Sequence, residues 1–259
     1  MANRYGRLEL NMKKEDKELI YDLLKKADAY VSGYTSSAFS GEVEFEDDVQ
    51  AEVSAVRGPS SASATTEPPL KEGLTLSELN AKILRCTKCP LARTRNNVVP
   101  GEGVEHPDVL VIGEGPGYDE DMSGRPFVGK AGILLDKMLA AINLDRTKNC
   151  FIANVVKCRP PNNRDPEAEE QSACSGFLEA QIHLLKPKMI LCMGRIAGHK
   201  MLDTQTPLGQ LRGQFYDYNG IPLMVTYHPS ALLRDESLKA PAWQDLKAFR
   251  RKFEEIKGQ

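Results

Sequence analysis

The stretch VLVIGEGPGYDED, residues 109–121, is the part of the sequence that most directly indicates the fold. Its first five residues form a continuous apolar run, which is typical of a strand buried on both faces of a parallel sheet. The glycine-rich turn that follows is not a phosphate loop, because the third glycine of a dinucleotide fingerprint would fall on Tyr118 and no Gly-Lys-Ser/Thr follows. Pro116 removes a backbone donor, and the neighbouring acids would repel a pyrophosphate. The turn indicates a neutral, hydrogen-bonding ligand; a plain strand-to-helix connection is the alternative.

Apolar strands and helices alternate from this stretch to the C-terminus. The strands are VLVIG, FIANVV, MILCMG and PLMVTYH, and the intervening helices include PEAEEQSACSGFLEAQIHLL, opened by Pro166, RIAGHKML and a closing APAWQDLKAFRRKFEEI. This order predicts an α/β fold, a three-layer α/β/α arrangement around a mainly parallel four-stranded sheet. Binding sites in such sheets lie beyond the carboxyl ends of the strands, where GEGPG, NVVKCRPPNNR and HPSALLR are expected to meet.

Three regions are predicted along the chain. Residues 1–40 contain an amphipathic helix, residues 41–73 form an acidic and then Ser/Ala/Pro-rich disordered linker, and residues 74–259 form the α/β domain. Thr75 and Glu78 have the spacing of a capping box that would open the first helix of that domain.

Composition restricts the class of partner. The net charge is −2, but residues 1–78 carry nine Lys and Arg against fifteen acids, and residues 79–259 carry 25 against 21. A mildly basic body is compatible with a polyanion such as DNA. The sequence contains neither a membrane-length apolar run nor a secretory signal, so we expect a cytoplasmic protein with no membrane association.

Three side chains at the predicted sheet edge are candidates for chemistry. Asn154 interrupts an apolar strand, and its paired donor and acceptor match the edge of a nucleobase. His228 follows the last strand, and a neutral imidazole there can donate to a developing oxyanion. Phe127 offers an aromatic face. Structural roles, a satisfied histidine and a core aromatic, are the alternatives for the last two.

The six cysteines fall into two groups. Cys86 and Cys89 form a C-x2-C pair, and two further cysteines, Cys158 and Cys174, stand apart from it, which suits an iron–sulfur cluster better than a zinc ribbon with its repeated knuckle. Inert thiols are the alternative. Cys150 and Cys192 border or occupy apolar strands and are expected in the core.

Seven motifs in order give the sequence a resemblance to a known family. RCTKCPLARTR, GEGPG, GRPFVGKAG, NVVKCRPPNNR, the Cys158–Cys174 pair, LRG at residues 211–213 and HPSALLR look like the family 4, iron–sulfur uracil-DNA glycosylases, over about residues 79–256. The resemblance implies an α/β/α enzyme that flips uracil out of DNA and hydrolyses its N-glycosidic bond in base excision repair.

The resemblance also implies roles for individual residues. It implies a structural [4Fe–4S] cluster bound by Cys86, Cys89, Cys158 and Cys174. The implied uracil site comprises Gly113, Glu114, Gly115, Phe127, Asn154 and His228, with Glu114 and His228 as catalytic groups. Ser230 and Arg234 are expected to contact DNA, and Leu232 to fill the gap that the extruded nucleotide leaves.

One departure concerns the water-activating group. Better-known uracil glycosylases carry an Asp where this chain has Gly115, so Glu114, Glu120 and Asn163 are all candidates, with Glu114 ranked first. Glu120 could instead crowd C5 of the base. The basic insertion of a branch that bonds covalently to DNA is missing before the histidine, so we expect turnover.

The sequence leaves two rival functions open. The rivals are a catalytically inactive iron–sulfur protein that binds damaged DNA, and an α/β enzyme that does not act on DNA. We expect a monomer acting on uracil-containing DNA. For residues 1–73 three roles stay open, namely recruitment of a replication or repair protein, mimicry of DNA, or none, and a tether with a weak docking helix is favoured.

Overall fold

The protein is described here from a computed structural model, which describes residues 73–258. The predicted N-terminal helix and almost all of the predicted linker lie outside these residues, so that division of the chain stays a prediction. No helix between residues 73 and 258 is long and apolar enough to cross a membrane.

Four parallel strands form the centre of a six-stranded sheet. In chain order the strands are β1 (Glu102–Gly103), β2 (Val109–Gly113), β3 (Cys150–Asn154), β4 (Met189–Met193), β5 (Phe215–Tyr218) and β6 (Ile221–Thr226), arranged as β1-β3-β2-β4-β6-β5. The central four are fully or largely buried, which explains their continuous apolar sequences. This confirms the predicted parallel sheet; the antiparallel edge strands β1 and β5 were not predicted.

Helices cover both faces of the sheet. The helices are α1 (Leu76–Leu84), α2 (Tyr118–Ser123), α3 (Lys130–Ala140), α4 (Ala168–Leu185), α5 (Arg195–Leu202), α6 (Leu208–Leu211), α7 (Pro229–Arg234) and α8 (Lys239–Lys257), with short 3-10 turns at Pro90–Arg93, Pro161–Asn163 and Glu236–Leu238. One apolar core packs α1, α4, α5 and α6 against one face, and a second packs α3, α7 and α8 against the other. The three-layer α/β/α fold is therefore confirmed.

Local signals explain several helix boundaries. The Thr75 side chain accepts from the Glu78 amide and the Glu78 carboxylate accepts from the Thr75 amide, so the predicted capping box opens α1. Helix α4 begins at Ala168 rather than at Pro166. Helix α2 was not predicted, because its sequence YDEDMS is almost entirely polar.

The LRG stretch joins the last strand to the last helix. Arg212 donates to both carboxylate oxygens of Asp245 at 3.0 and 2.7 Å, and the Thr226 hydroxyl donates to the same carboxylate at 2.7 Å. Gly213 has a φ of +73°, and a Cβ there would lie 2.7 Å from Asp245. This buried network fixes the end of β6, and therefore the position of the residues that follow it.

Candidate functional site

The carboxyl ends of the four parallel strands surround one cavity. Its volume is about 620 Å³, and its walls include residues from each of the three turns that the sequence placed at this edge, among them Glu114, Glu120, Phe127, Asn154, Asn163, His228, Ser230 and Arg234. The structure thus brings together the side chains of Phe127, Asn154 and His228, which are far apart in sequence. Leu232 and the four candidate cluster cysteines do not line this cavity.

The floor of the cavity depends on a missing side chain at Gly113. Gly113 pairs with Asn154 in the register of β2 and β3. A Cβ on Gly113 would lie 2.4 Å from Asn154 Oδ1 and 2.6 Å from the Phe127 ring. Only glycine therefore allows the amide and the ring to approach each other here.

Asn154 has an unused acceptor in this floor. Its Oδ1 atom is buried and has no hydrogen-bond partner among residues 73–258, whereas its backbone carbonyl accepts from the buried Lys157 ammonium at 2.8 Å. Buried polar atoms are nearly always paired in folded proteins. The free acceptor therefore marks a position for a ligand that carries a donor.

Phe127 is held in a strained backbone conformation. Its φ is +51°, which is uncommon for a bulky residue. The Arg146 guanidinium donates to the Pro126 and Phe127 carbonyls at 2.8 and 3.0 Å, and a Cβ on Gly132 would meet the Phe127 carbonyl oxygen. These contacts hold the Phe127 ring 5.5 Å from the ring of His228.

His228 is fixed as one neutral tautomer. The amide of Ser230 donates to His228 Nδ1 at 3.2 Å, so Nδ1 is an acceptor and the ring proton lies on Nε2. Burial, with the positive charge of Arg234 adding to it and Glu120 opposing it, lowers the pKa of His228 to about 4. The ring therefore offers a neutral N–H donor at physiological pH.

Glu114 is a carboxyl group with an altered acidity. Burial, and then the negative charge of Asp165, raise its pKa to about 7, while Arg195 acts in the opposite direction. A carboxyl group that titrates near neutral pH in a cavity is suited to general base catalysis.

The other two candidates for water activation make different contacts. The carboxylate of Glu120 accepts from the amides of Gly117, Val128 and Gly129 at 3.0, 2.9 and 3.2 Å, so it joins the β2 turn to the Phe127 loop. Asn163 Oδ1 accepts from Arg159 Nε at 2.7 Å. These hydrogen bonds favour a positioning role for both residues.

Sequence reasoning missed the turn after β4. Gly194 has a φ of +93°, and Arg195 beyond it forms an ion pair with Asp165 on the wall of the cavity. Since all parallel strands end at the same edge, the glycine that ends MILCMG was a signal for this fourth turn. Tyr118, Arg159 and Lys157 were also missed.

Leu232, expected to fill the gap in the DNA, is buried in this structure. Only 2% of Leu232 is exposed, because it packs in the core between α3 and α8. Its neighbour Leu233 is 48% exposed. Periodicity alone could not decide which of the two adjacent leucines faces the core.

The four candidate cluster cysteines are neighbours at a second location. Burial is the main cause of the raised pKa values of Cys158 and Cys174; Cys89 contributes to both, and Cys86 to that of Cys174. Arg95 donates to Cys158 Sγ at 3.0 Å and to the Cys86 carbonyl at 2.7 Å. Among the described residues, no three His, Cys, Asp or Glu side chains lie close enough together to hold a metal ion. Cys150 and Cys192 are core residues, as predicted.

Comparison with known proteins identifies the family. The family model described as "Uracil DNA glycosylase superfamily" matches residues 100–247, and the chain belongs to that superfamily. The chain is 42% identical to a type-4 uracil-DNA glycosylase of Pyrobaculum aerophilum, over 67% of this chain and 92% of that protein. It is 39% identical to the type-4 enzyme of Archaeoglobus fulgidus, over 66% and 90%, and 44% identical to that of Thermotoga maritima, over 61% and 83%. Within the superfamily, the chain therefore belongs to the type-4 uracil-DNA glycosylases.

Proposed function

We propose that this protein removes uracil from DNA by hydrolysing the N-glycosidic bond and leaving an abasic site. The observation that carries the proposal is the unpaired, buried Oδ1 of Asn154, beside the Phe127 ring and the His228 imidazole in one cavity. Membership of the type-4 family supports catalysis and does not favour the alternative of an inactive damage-binding protein.

Asn154 would identify the base by its polar edge. Uracil carries a donor at N3 and an acceptor at O4, which match Oδ1 and Nδ2 of the amide; cytosine has the opposite pair at these positions. Cytosine would leave both amide groups unpaired in a buried position, which costs about 1–3 kcal/mol for each group. Phe127 would stack on the face of the bound uracil.

His228 would stabilise the leaving group. When the C1′–N1 bond breaks, both electrons go to uracil, and the resulting negative charge spreads to O2. The Nε2–H of His228 is the expected donor to that oxygen. A neutral donor aimed at a developing anion stabilises the transition state more than the ground state.

Glu114 would complete the hydrolysis. Its carboxylate offsets the positive charge that develops on the sugar and accepts a proton from the water whose oxygen bonds to C1′. Proton transfer by a positioned group with a pKa near the working pH contributes roughly 10²- to 10⁴-fold to the rate. Glu120 and Asn163 would hold the two neighbouring turns in place.

The rim of the cavity would hold extruded DNA. Flipping a nucleotide out of a duplex costs a few kcal/mol and leaves a gap in the stack. We propose that the exposed Leu233 fills this gap in place of the buried Leu232, and that Ser230 and Arg234 contact phosphate. Binding should weaken as salt rises, because phosphate contacts release counterions.

We also propose that Cys86, Cys89, Cys158 and Cys174 bind a [4Fe–4S] cluster. These thiols influence one another's pKa, so they lie close together. A single C-x2-C pair with two separated cysteines suits an iron–sulfur cluster. Arg95 and Lys157 supply positive charge beside the two cysteines that follow β3. The cluster would cross-link the chain before β1 to the chain after β3.

Three further expectations remain proposals. We propose that the protein is a monomer, that it acts in the cytoplasm, and that residues 1–73 tether a replication or repair partner. A truncation beginning at Leu74 that retains full activity on DNA but loses the partner in a pull-down would support the tether, and loss of activity would contradict it.

A single-uracil oligonucleotide tests the function. The protein is incubated with it, and alkali then reveals abasic sites as strand breaks. We expect cleavage by the wild-type protein, a loss of at least 100-fold with His228→Ala or Asn154→Ala, and no change with His106→Ala, an exposed histidine away from the cavity. No strand breaks from a protein that carries its full iron content would overturn the proposal.

A further inference from the structure

Tyr118 is an exposed aromatic residue at the mouth of the cavity. It is the first residue of α2, lines the cavity, and is 57% exposed. Its hydroxyl makes no hydrogen bond within residues 73–258. More than half of Tyr118 is exposed, so part of the ring surface is open to a ligand.

Arg159 packs against this ring from the turn that follows the neighbouring strand. Tyr118 follows β2 and Arg159 follows β3, and the Arg159 guanidinium carbon lies 5.1 Å from the centre of the Tyr118 ring. The guanidinium is fixed in turn, because its Nε donates to Asn163 Oδ1 at 2.7 Å. The two turns are therefore joined by a pre-formed cation–π pair, which reduces the entropy that the pair would lose on binding.

The surroundings of Tyr118 select a flat, uncharged ligand. The next residue of α2, Asp119, is acidic, exposed and on the wall of the cavity. Its carboxylate disfavours a phosphate directly over the ring, whereas the carboxylates of Glu120 and Asp121 are bonded to backbone amides. A base has no charge, and every base presents a π-face to an aromatic side chain, so stacking there tolerates any sequence.

We propose that Tyr118, backed by Arg159, is a stacking platform for the base that neighbours the extruded uridine. This inference rests on the proposed function, since extrusion of the uridine deprives the neighbouring base of its stacking partner. The platform replaces that partner from the protein side. It makes binding depend on the presence of a neighbouring base and not on its identity.

The test compares two oligonucleotides by their dissociation constants. Both contain 2′-fluoro-2′-deoxyuridine, whose fluorine destabilises an oxocarbenium-like sugar and so slows cleavage. In one the uridine lies between two adenines, and in the other between two abasic spacers. Fluorescence anisotropy gives the dissociation constant for each protein, independently of catalysis.

We expect Tyr118→Ala to weaken binding of the adenine-flanked oligonucleotide by roughly 5- to 150-fold, the range found for base–aromatic stacking. Binding of the spacer-flanked oligonucleotide should be equal for wild type and variant. Tyr118→Phe should stay within about twofold of wild type on both, because it keeps the π-face. Phe215→Ala removes a similarly exposed ring, 38% exposed on β5, and is the matched control with no expected effect.

A 2-aminopurine on either side of the uridine then identifies the neighbour that stacks. Its fluorescence should be quenched by wild type and by Tyr118→Phe, but not by Tyr118→Ala. Equal weakening of both oligonucleotides by Tyr118→Ala would overturn the platform, and so would a Tyr118→Phe protein that behaves like Tyr118→Ala. Failure of the wild type to release uracil from an ordinary oligonucleotide would instead overturn the proposed function.

Discussion

A Cβ on Gly113 would lie 2.4 Å from Asn154 Oδ1, which is closer than two such atoms can approach. The predicted uracil pocket therefore depends on a hydrogen atom in place of a side chain at the end of β2. The Phe127 ring lies 2.6 Å from the same point, so an added methyl group would displace both the amide and the ring.

Gly113→Ala is expected to lower kcat/KM by about 100-fold, because a displacement of about 1 Å in a binding site costs on this order. Steady-state kinetics on a single-uracil oligonucleotide measure the change, and circular dichroism checks the fold. Gly209→Ala is the matched control, since a Cβ there meets nothing within 4 Å. Wild-type kinetics from a correctly folded Gly113→Ala protein would contradict the proposed pocket.

The pKa of Glu114 predicts how the rate depends on pH. Burial raises that pKa to about 7, so the carboxylate that the mechanism needs is the minor form below this pH and the major form above it. Single-turnover rates should therefore rise about tenfold per pH unit from pH 5 to about 7 and level off above. Glu114→Gln should be slower and lose this dependence, whereas the exposed Glu105→Gln should keep it. A wild-type rate that is flat between pH 5 and 8 would rule out this role.

His228 is expected to stay neutral across the working range. Burial and Arg234 lower its pKa to about 4, so its ring should carry no charge above about pH 5. In an NMR titration the ring C–H resonance, assigned from its loss in His228→Ala, should not shift between pH 8 and 5. Because the folded pKa lies below the unfolded value, the fold favours the neutral ring, and this contribution to stability is lost as pH falls from about 6.5 towards 4. A midpoint near pH 6.5 would show that the imidazole is not desolvated.

Asp245 predicts a large effect on stability away from the cavity. The residue is 2% exposed, and its carboxylate is the acceptor for Arg212 and the Thr226 hydroxyl. Asp245→Ala removes the acceptor of the Thr226 hydroxyl and the ion pair of Arg212, which keeps only its bond to the Pro241 carbonyl, and should lower the free energy of unfolding by about 3–5 kcal/mol. Urea unfolding measures this loss. Glu254→Ala, which removes an exposed ion pair with Arg250, should cost about 1 kcal/mol or less. Equal losses in the two variants would mean that the Asp245 network is not stabilising.

The cysteines predict a difference in iron content. Cys174→Ala should lose iron and the brown colour of an iron–sulfur cluster, because it removes a proposed ligand. Cys192→Ala should keep both, because Cys192 is buried within β4 and is not a proposed ligand. Iron and acid-labile sulfide are measured on freshly purified protein. Zinc in place of iron in the wild type would contradict the proposed cofactor.

The sequence correctly predicted the strands and helices whose apolar pattern reflects their burial. The central strands are apolar on both faces, so their runs could be read directly, and α5 was predicted with its observed bounds. Edge strand β5 alternates between half-buried and exposed residues, and β1 has two residues, so neither has a buried-strand pattern. Helix α2 has an acidic sequence with no apolar pattern. Its start is stabilised by the Glu120 carboxylate, which accepts from the amide of the N-cap residue Gly117.

The candidate site was predictable as far as it depends on strand ends. Asn154 and His228 lie at or just beyond strand ends, and they line one cavity with Phe127, which lies in the loop between α2 and α3. Contacts that depend on side-chain direction could not be predicted, and these include the burial of Leu232, the bonds of Glu120 and the packing of Arg159 on Tyr118.

The three backbone bonds to Glu120 make two separate loops a single rigid body. Opening the turn after β2 would break the hydrogen bonds between the Glu120 carboxylate and the amides of Val128 and Gly129. The Phe127 ring, one residue before Val128, would then lose this support. The conformational entropy of these loops is lost once, during folding, and is not lost again when the protein binds DNA. Association with DNA is expected to be faster when it requires no such rearrangement.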